Sequence, residues 1–195
     1  MTARWVVDEV APHRNLVIGW RSISLLFKNE PEEGSDYYGP VKQTHGHLRV
    51  MEAIRASAAT SEQANRDVFA LYWELGARIH HDKDRDLEIA DVLVSVGLDP
   101  AFADAEHDEQ WDDAIRTAMD DGLSLVGNDV GTPIIAMTNS SGVRVGYFGP
   151  VINKVPTREA ALKMWDALTA MMDVDGFFEL KKTRTGGIDF GDRPT

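Results

Sequence analysis

The sequence predicts an α/β protein in which an all-helical subdomain interrupts a smaller mixed layer. Short apolar segments within 16–27 and 134–148, flanked by turn-forming residues, are typical of strands. Between them, residues 41–122 carry apolar side chains at helical spacing, and a last helical stripe follows the second strand region. We therefore predict that residues 1–40 and 123–195 form the α/β domain and that residues 41–122 are the insertion.

The chain opens with a helical pattern of apolar residues over 3–10, and Pro12 is expected to end that helix. Ile23, Leu25 and Phe27 then alternate with other residues, which predicts a strand buried on at least one face. The acidic segment that follows is rich in Gly and Pro and is expected to be a loop.

Five amphipathic helices are predicted in the insertion. The first two carry apolar faces over 48–54 and 68–79, and the third covers 87–96 and stops at Gly97. Asp99 followed by Pro100 is a start signal for a short fourth helix. Residues 111–119 make the fifth, which Gly122 is expected to close.

The C-terminal part predicts a β-hairpin and a final helix. Two apolar runs, 134–137 and 143–148, are separated by five residues rich in turn formers. Thr157 is the expected cap of the last helix, and residues 181–195 are expected to form a polar tail.

Composition narrows the classes of function. The chain has 195 residues and a formal net charge of −12, which works against nucleic-acid binding because that affinity depends on clustered Lys and Arg. No apolar run is long enough to span a bilayer, and no signal peptide is recognisable, so we expect a cytoplasmic protein without a membrane partner. The sequence contains no cysteine, which excludes disulfides, zinc–thiolate sites and any thiol step carried by these residues.

The most informative local motif is Gly131-Thr132-Pro133 at the entry to an apolar strand. Only X-Pro bonds adopt cis at low cost, and a residue before proline is pushed toward extended geometry. Such a loop can turn the backbone groups of Thr132 outward for docking a substrate. A plain turn before a strand is the alternative that spacing alone leaves open.

This element order resembles the DsbA-like thioredoxin-fold oxidoreductases, and most closely their actinobacterial mycothiol-dependent nitroreductase branch. The matching motifs are the Gly-Thr-Pro loop, Tyr147-Phe148-Gly149-Pro150, the ending 177–181, and also 46–50 and 78–81. The resemblance implies a thioredoxin-like fold and thiol-dependent oxidoreduction. In that family, a cysteine thiolate at the start of the first helix attacks a disulfide or forms a mixed disulfide with a small thiol.

The resemblance also implies a site. Gly131, Thr132 and Pro133 would hold the sulfur-bearing part of the substrate by backbone contacts. Asn29, Tyr37 and Tyr38 would border the same cleft, where the amide could hydrogen-bond a substrate and the tyrosines could stack on a flat one. The implied co-substrate is a low-molecular-weight thiol, mycothiol or glutathione, with no tightly bound cofactor and no metal, and the protein would be a monomer or homodimer.

The family's first strand and its Cys-Pro-x-Cys or Cys-Pro-x-Ala motif have no counterpart in this sequence. A natural chain without a nucleophile and a start codon assigned too late are the two explanations, and we favour the second because an unpaired sheet edge is costly. As written, the chain is expected to be inactive in thiol chemistry. The alternatives are a non-catalytic module that binds a thiol or peptide, and the related isomerase branch that uses glutathione.

Other notable residues have simpler explanations. Neither His45 and His47 nor His80 and His81 have a spacing typical of metal ligands, so we expect solvent-facing or helix-end histidines. The acidic runs do not fit a calcium loop, and the five tryptophans are expected to pack in the core. No Ser-His-Asp arrangement can be argued from the spacing.

Overall fold

The computed structural model describes residues 1–84 and 86–194. They form two compact units, here called the hairpin unit (residues 1–18 and 122–193) and the helical unit (residues 19–121). The protein combines many helices with a small two-stranded sheet, which is consistent with an α/β fold. No helix among the described residues is both long and apolar enough to span a membrane.

The hairpin unit contains the sheet. Its elements are helix α1 (Thr2–Arg4), a π-helical segment (Trp5–Val10), α2 (Ala11–Arg14), strands β1 (Ile134–Thr138) and β2 (Arg144–Phe148), and α8 (Arg158–Met171). The strands are antiparallel, with Ala136 opposite Gly146. Asn139 closes the turn by accepting from the backbone N–H of Val143 with its side chain. The predicted hairpin and final helix are confirmed, although Thr157 makes no side-chain capping bond.

The first helical run does not stop at Pro12, as the sequence predicted. It continues through α2 and ends at Asn15, which adopts a left-handed conformation (φ 49°). Pro12 lies at the start of α2, directly after the π-helical segment, where its missing N–H is tolerated. Asparagine suits the left-handed C-cap that follows.

The core of the hairpin unit forms between these helices and the inner face of the sheet. Trp5 is fully buried and donates from Nε1 to the carbonyl of Ala161 (3.2 Å). Its ring centroid lies 5.9 Å from that of Trp165. Ile135 and Met137 of β1 pack against this cluster, so the expected core role of both tryptophans is confirmed.

The C-terminal tail has no regular structure over residues 181–194, as its polar composition indicates. It is nevertheless attached to the hairpin unit. Arg4 Nη1 donates to the carbonyls of Phe190 (2.6 Å) and Asp192 (2.9 Å), and the N–H of Asp189 donates to the carbonyl of Asn153 (2.7 Å).

The helical unit contains the predicted amphipathic helices. Four of them are α4 (Tyr38–Ser57), α5 (Ser61–Ala77), α6 (Ile89–Ser95) and α7 (Asp112–Leu123), most of which belongs to this unit. A further helix that was not predicted, α3 (Leu25–Asn29), precedes them. A π-helical segment (Arg78–Asp82) and two 3₁₀ segments (Pro100–His107 and Glu109–Trp111) join them. Asp99 caps the first 3₁₀ segment as predicted, accepting from the N–H of Ala101 (2.9 Å). The core gathers Val50, Ile54, Leu71 and Leu93.

The predicted strand over 21–27 is wrong. Residues 16–24 lack regular structure, and Leu25–Asn29 is helical, with Ser24 capping it by accepting from the N–H of Phe27 (3.2 Å). The buried face of the segment is Ser22 and Ser24, while Ile23 is only partly buried. The serines bond to α4, so polar contacts, rather than an apolar face on a sheet, position this segment.

Charge is divided unequally between the two units. Residues 19–121 carry 22 acidic and 10 basic side chains, whereas residues 1–18 and 122–193 carry ten of each. The whole formal excess of negative charge therefore belongs to the helical unit, and the hairpin unit is formally neutral.

Candidate functional site

The Gly131-Thr132-Pro133 loop enters β1, and its Thr132–Pro133 peptide bond is cis. The carbonyl of Pro133 accepts from the N–H of Gly149 (2.8 Å), which precedes a second cis bond to Pro150. The two proline loops therefore lie side by side at one end of the hairpin. Thr132 is exposed, so its hydroxyl is accessible to a ligand.

An aromatic ring lies beside this loop, and a hydroxyl group binds the neighbouring proline loop. A Cβ atom at Gly131 would lie 3.7 Å from the ring of Phe148, which is itself partly exposed. On the other loop, Thr2 Oγ1 donates to the carbonyl of Pro150 (2.7 Å), which ties the start of α1 to it. The loop thus combines an exposed hydroxyl with an aromatic face, which suits a ligand of mixed polar and apolar character.

Asn29 and Tyr37 come together in the helical unit, and Tyr38 follows as the first residue of α4. Asn29 Nδ2 donates to the hydroxyl of Tyr37 (3.0 Å), and the hydroxyl of Tyr38 donates to Glu33 Oε1 (3.0 Å). The Lys42 ammonium lies 5.6 Å from the centroid of the Tyr38 ring, within cation–π range. Asn29 and Tyr37 are exposed. That these residues and the Thr132 loop border one cleft stays a prediction, as does the role of each in binding.

Comparison with known families decides where the chain belongs. Residues 1–182 match the sequence model of one protein family. This family is described as "Rv2466c-like: Mycothiol-dependent nitroreductase Rv2466c". The chain is a member of this family. The match includes the Thr132 loop and Asn29, Tyr37 and Tyr38, and it confirms the predicted relation to mycothiol-dependent nitroreductases. The wider DsbA-like assignment stays a prediction.

This Rv2466c-like chain also contains a hydrogen-bonded row that the sequence did not predict. Ser24 Oγ lies 2.9 Å from His45 Nδ1, and His45 Nε2 lies 3.1 Å from Asp112 Oδ1. Arg49 binds the same carboxylate through Nε (2.6 Å) and Nη2 (2.8 Å). The members are separated by 21 and 67 positions, so no local motif could have revealed the row.

Protonation in the row follows from burial and charge. Burial lowers the pKa of His45, against the opposing effect of Asp112, and the Arg49 guanidinium lowers the pKa of Asp112. The ring is therefore neutral near pH 7 and the carboxylate is ionised. Because a carboxylate only accepts, His45 Nε2 donates to Asp112, and Nδ1 accepts from the Ser24 hydroxyl.

The row resembles a Ser-His-Asp arrangement but does not present a nucleophile. Ser24 has 0% exposure, and its oxygen already accepts from the N–H of Phe27. The Phe27 ring packs against His45 with 4.4 Å between the ring centroids, and the Arg116 guanidinium lies 3.7 Å from the centroid of the Phe27 ring. The row therefore serves to hold α3, α4 and α7 together.

His47 is likewise buried within α4 of this family member. It has 4% exposure, its Nε2 lies 3.9 Å from Glu106 Oε1, and burial lowers its pKa to about 4. The expectation that His45 and His47 face solvent or a helix end is wrong. His80 and His81 do lie at a helix end, in the segment after α5. Among the described residues, no three His, Asp or Glu side chains are placed to hold a metal ion.

Proposed function

We propose that this chain acts in mycothiol-linked reduction of small electrophilic molecules, with mycothiol as a co-substrate. The observation that carries the proposal is the family match over residues 1–182, which spans the exposed Thr132 and the adjoining Pro133. The description of the family as mycothiol-dependent nitroreductases supports both the thiol and the oxidoreductase class.

In this proposal the Thr132 loop docks the thiol. Thr132 offers a hydroxyl and backbone groups to the polar part of the ligand, while Gly131 leaves room beside the Phe148 ring. Pro133 holds the loop in shape. Asn29, Tyr37 and Tyr38 contribute an amide and aromatic rings to a flat electron acceptor.

These 195 residues contain no cysteine, so they supply no thiolate of their own. We therefore expect these residues, assayed without an added thiol, to be inactive in thiol–disulfide exchange. This observation favours a second candidate, a non-catalytic module that binds a thiol or a peptide. The glutathione-dependent isomerase branch is a further relative to test, and we place the protein in the cytoplasm, where small thiols are kept reduced.

Binding is the first test. We expect calorimetric titration of the purified chain with mycothiol to show binding at one site, and Pro133→Ala to weaken it by about tenfold, or about 1.4 kcal/mol. Pro156→Ala, in another loop of the hairpin unit, is the matched control and is expected to bind as the unmodified chain does. Circular dichroism checks that both variants remain folded. Equal binding by Pro133→Ala and the control would remove the loop from the site.

A turnover assay distinguishes the proposed reductase from the non-catalytic binding module. Mycothiol-dependent reduction of a nitroaromatic compound by a chain that binds mycothiol would show that the bound thiol suffices for catalysis. Binding without turnover identifies the binding module. Preference for glutathione over mycothiol in the same titration would favour the isomerase branch, and failure to bind either thiol would contradict the proposal.

A further inference from the structure

A groove on the helical unit lies between the end of α4 and the two 3₁₀ segments. Its volume is about 440 Å³, which is within the range of small-molecule sites. Four alanines line it: Ala53 and Ala56 from α4, and Ala101 and Ala105 from the first 3₁₀ segment. Because alanine carries no atom beyond Cβ, these neighbouring segments leave the space between them unfilled.

Two aromatic side chains give the groove an apolar wall. Phe102 and Trp111 both line it, and both are only partly buried. Each also packs against the core of the helical unit, which holds its ring in place. The part of each ring that faces the groove is available to a ligand, and an aromatic face attracts a cation as well as apolar carbon.

The polar part of the groove is acidic. Asp104 and Asp108 line it together with the uncharged Ser57 and Gln110. The Asp108 carboxylate is already occupied, since it accepts from the backbone N–H (3.0 Å) and from the side-chain amide of Gln110. Asp104 is exposed, and its carboxylate forms no hydrogen bond or ion pair with any residue that the structure describes. The Asp104 carboxylate is therefore available to a ligand.

The charge around the groove favours a cation. None of the described residues that line it is Lys or Arg. Residues 99–113 carry seven Asp and Glu side chains, one histidine and no Lys or Arg. Arg49, one helical turn before Ala53, is held by Asp112 through two hydrogen bonds. The groove thus combines an apolar floor with an excess of negative charge, which raises the local concentration of cations.

We propose that this groove binds a small organic cation, an ammonium group carried on an aromatic or aliphatic body. The ammonium pairs with Asp104, and the apolar body lies on the alanines beside Phe102 and Trp111. A partly exposed ion pair is weak by itself, so contact with the apolar floor and the two rings contributes much of the affinity. The groove belongs to the helical unit, and the proposal does not depend on the thiol chemistry proposed for the Thr132 loop.

A titration with 2-phenylethylammonium, followed by ¹H–¹⁵N NMR spectroscopy, tests this site. We expect saturable shifts at the amides of residues 101–111 and at the indole N–H of Trp111. The uncharged 2-phenylethanol is nearly isosteric, and we expect it to bind about fivefold more weakly. Equal binding of the two compounds would overturn the proposal, and so would the absence of saturable shifts at these residues.

Two charge variants separate the groove from the general negative charge of the protein. Asp104→Asn should weaken the binding of 2-phenylethylammonium about fivefold. Asp113→Asn removes the same charge from an exposed residue outside the groove lining and should bind as the unmodified chain does. The amide spectrum of each variant without ligand checks that it is folded. Equal losses in the two variants would overturn the proposal, because they would assign the attraction to net charge.

Two further variants test the shape of the groove. Ala56→Leu fills it from an exposed position of α4 without changing any charge, and should weaken the binding of both compounds. Ala114→Leu makes the same change at an exposed position of α7 outside the groove and should leave binding unaffected. Undiminished binding by a folded Ala56→Leu variant would remove the groove as the site.

Discussion

Arg49 holds the carboxylate of Asp112 by two parallel hydrogen bonds, 2.6 Å from Nε to Oδ1 and 2.8 Å from Nη2 to Oδ2. Both side chains are largely buried, and Asp112 stands at the first position of α7, where a negative charge is favoured by the helix dipole. The contact links the middle of α4 to the start of α7. Oδ1 of the same carboxylate also accepts a hydrogen bond from Nε2 of His45 and so orients the His45 ring.

Loss of this carboxylate is expected to destabilise the fold. Asp112→Ala leaves Arg49 and His45 without their partner, and we expect the free energy of unfolding to fall by about 2 to 3 kcal/mol. Urea denaturation followed by circular dichroism measures the change. Asp113→Ala is the matched control, since Asp113 is exposed and adjacent in the same turn. Equal losses in the two variants would show that the ion pair contributes nothing specific.

Stability is expected to fall on acidification through the histidines of α4. His47 has a pKa of about 4 in the fold, against about 6.5 in an unfolded chain, so below pH 6.5 the unfolded state binds the extra proton. His45 is shifted in the same direction. Between about pH 6.5 and about pH 4, His47 should therefore cost roughly 3 kcal/mol of stability, with full stability above pH 6.5.

Urea midpoints measured across this pH range test the titration. His47→Gln should show a smaller loss of stability over the same interval than the unmodified chain. His81→Gln, at the end of the segment after α5, is the matched control for the replacement of a histidine by glutamine. A slope that is the same in His47→Gln and the unmodified chain would assign the pH dependence to other groups.

Close packing at Gly46 predicts an unusual response to alanine. A Cβ atom there would lie 2.6 Å from Glu106 Cγ and 3.3 Å from the Glu106 carbonyl oxygen, so the 3₁₀ segment would have to shift. Gly46→Ala should destabilise the protein by about 1 to 3 kcal/mol, although alanine favours a helix. Thermal and urea unfolding measure the difference.

Gly76 supplies the matched control. It lies in α5, and a Cβ atom added there would meet no described neighbour within 4 Å, so Gly76→Ala is expected to stabilise by up to about 1 kcal/mol. A stabilising Gly46→Ala would mean that Glu106 moves aside at little cost.

The helices and the hairpin were predictable because their signals are local. The apolar spacing of α4 and α5 and the turn formers before Val143 act within one element, and the structure follows them. The Thr132 loop could also be identified, from a single Gly-Thr-Pro motif and the family resemblance. What that loop and the residues Asn29, Tyr37 and Tyr38 bind remains a prediction, because side-chain types alone do not specify a ligand.

By itself, the sequence determined the helical periods of the insertion and the turn after β1, since each depends on neighbours a few residues apart. The apolar periodicity also placed Trp5 and Trp165 on the buried faces of their helices, although it did not show that the two rings pack against each other. Only the tertiary structure decided that residues 21–27 are not a strand, that His45 and His47 are buried, and that Ser24 and Asp112 meet through His45. A strand needs a partner, and a buried polar group needs a donor or acceptor from elsewhere in the chain. Those partners come from distant positions, so their effect appears only when the chain is folded.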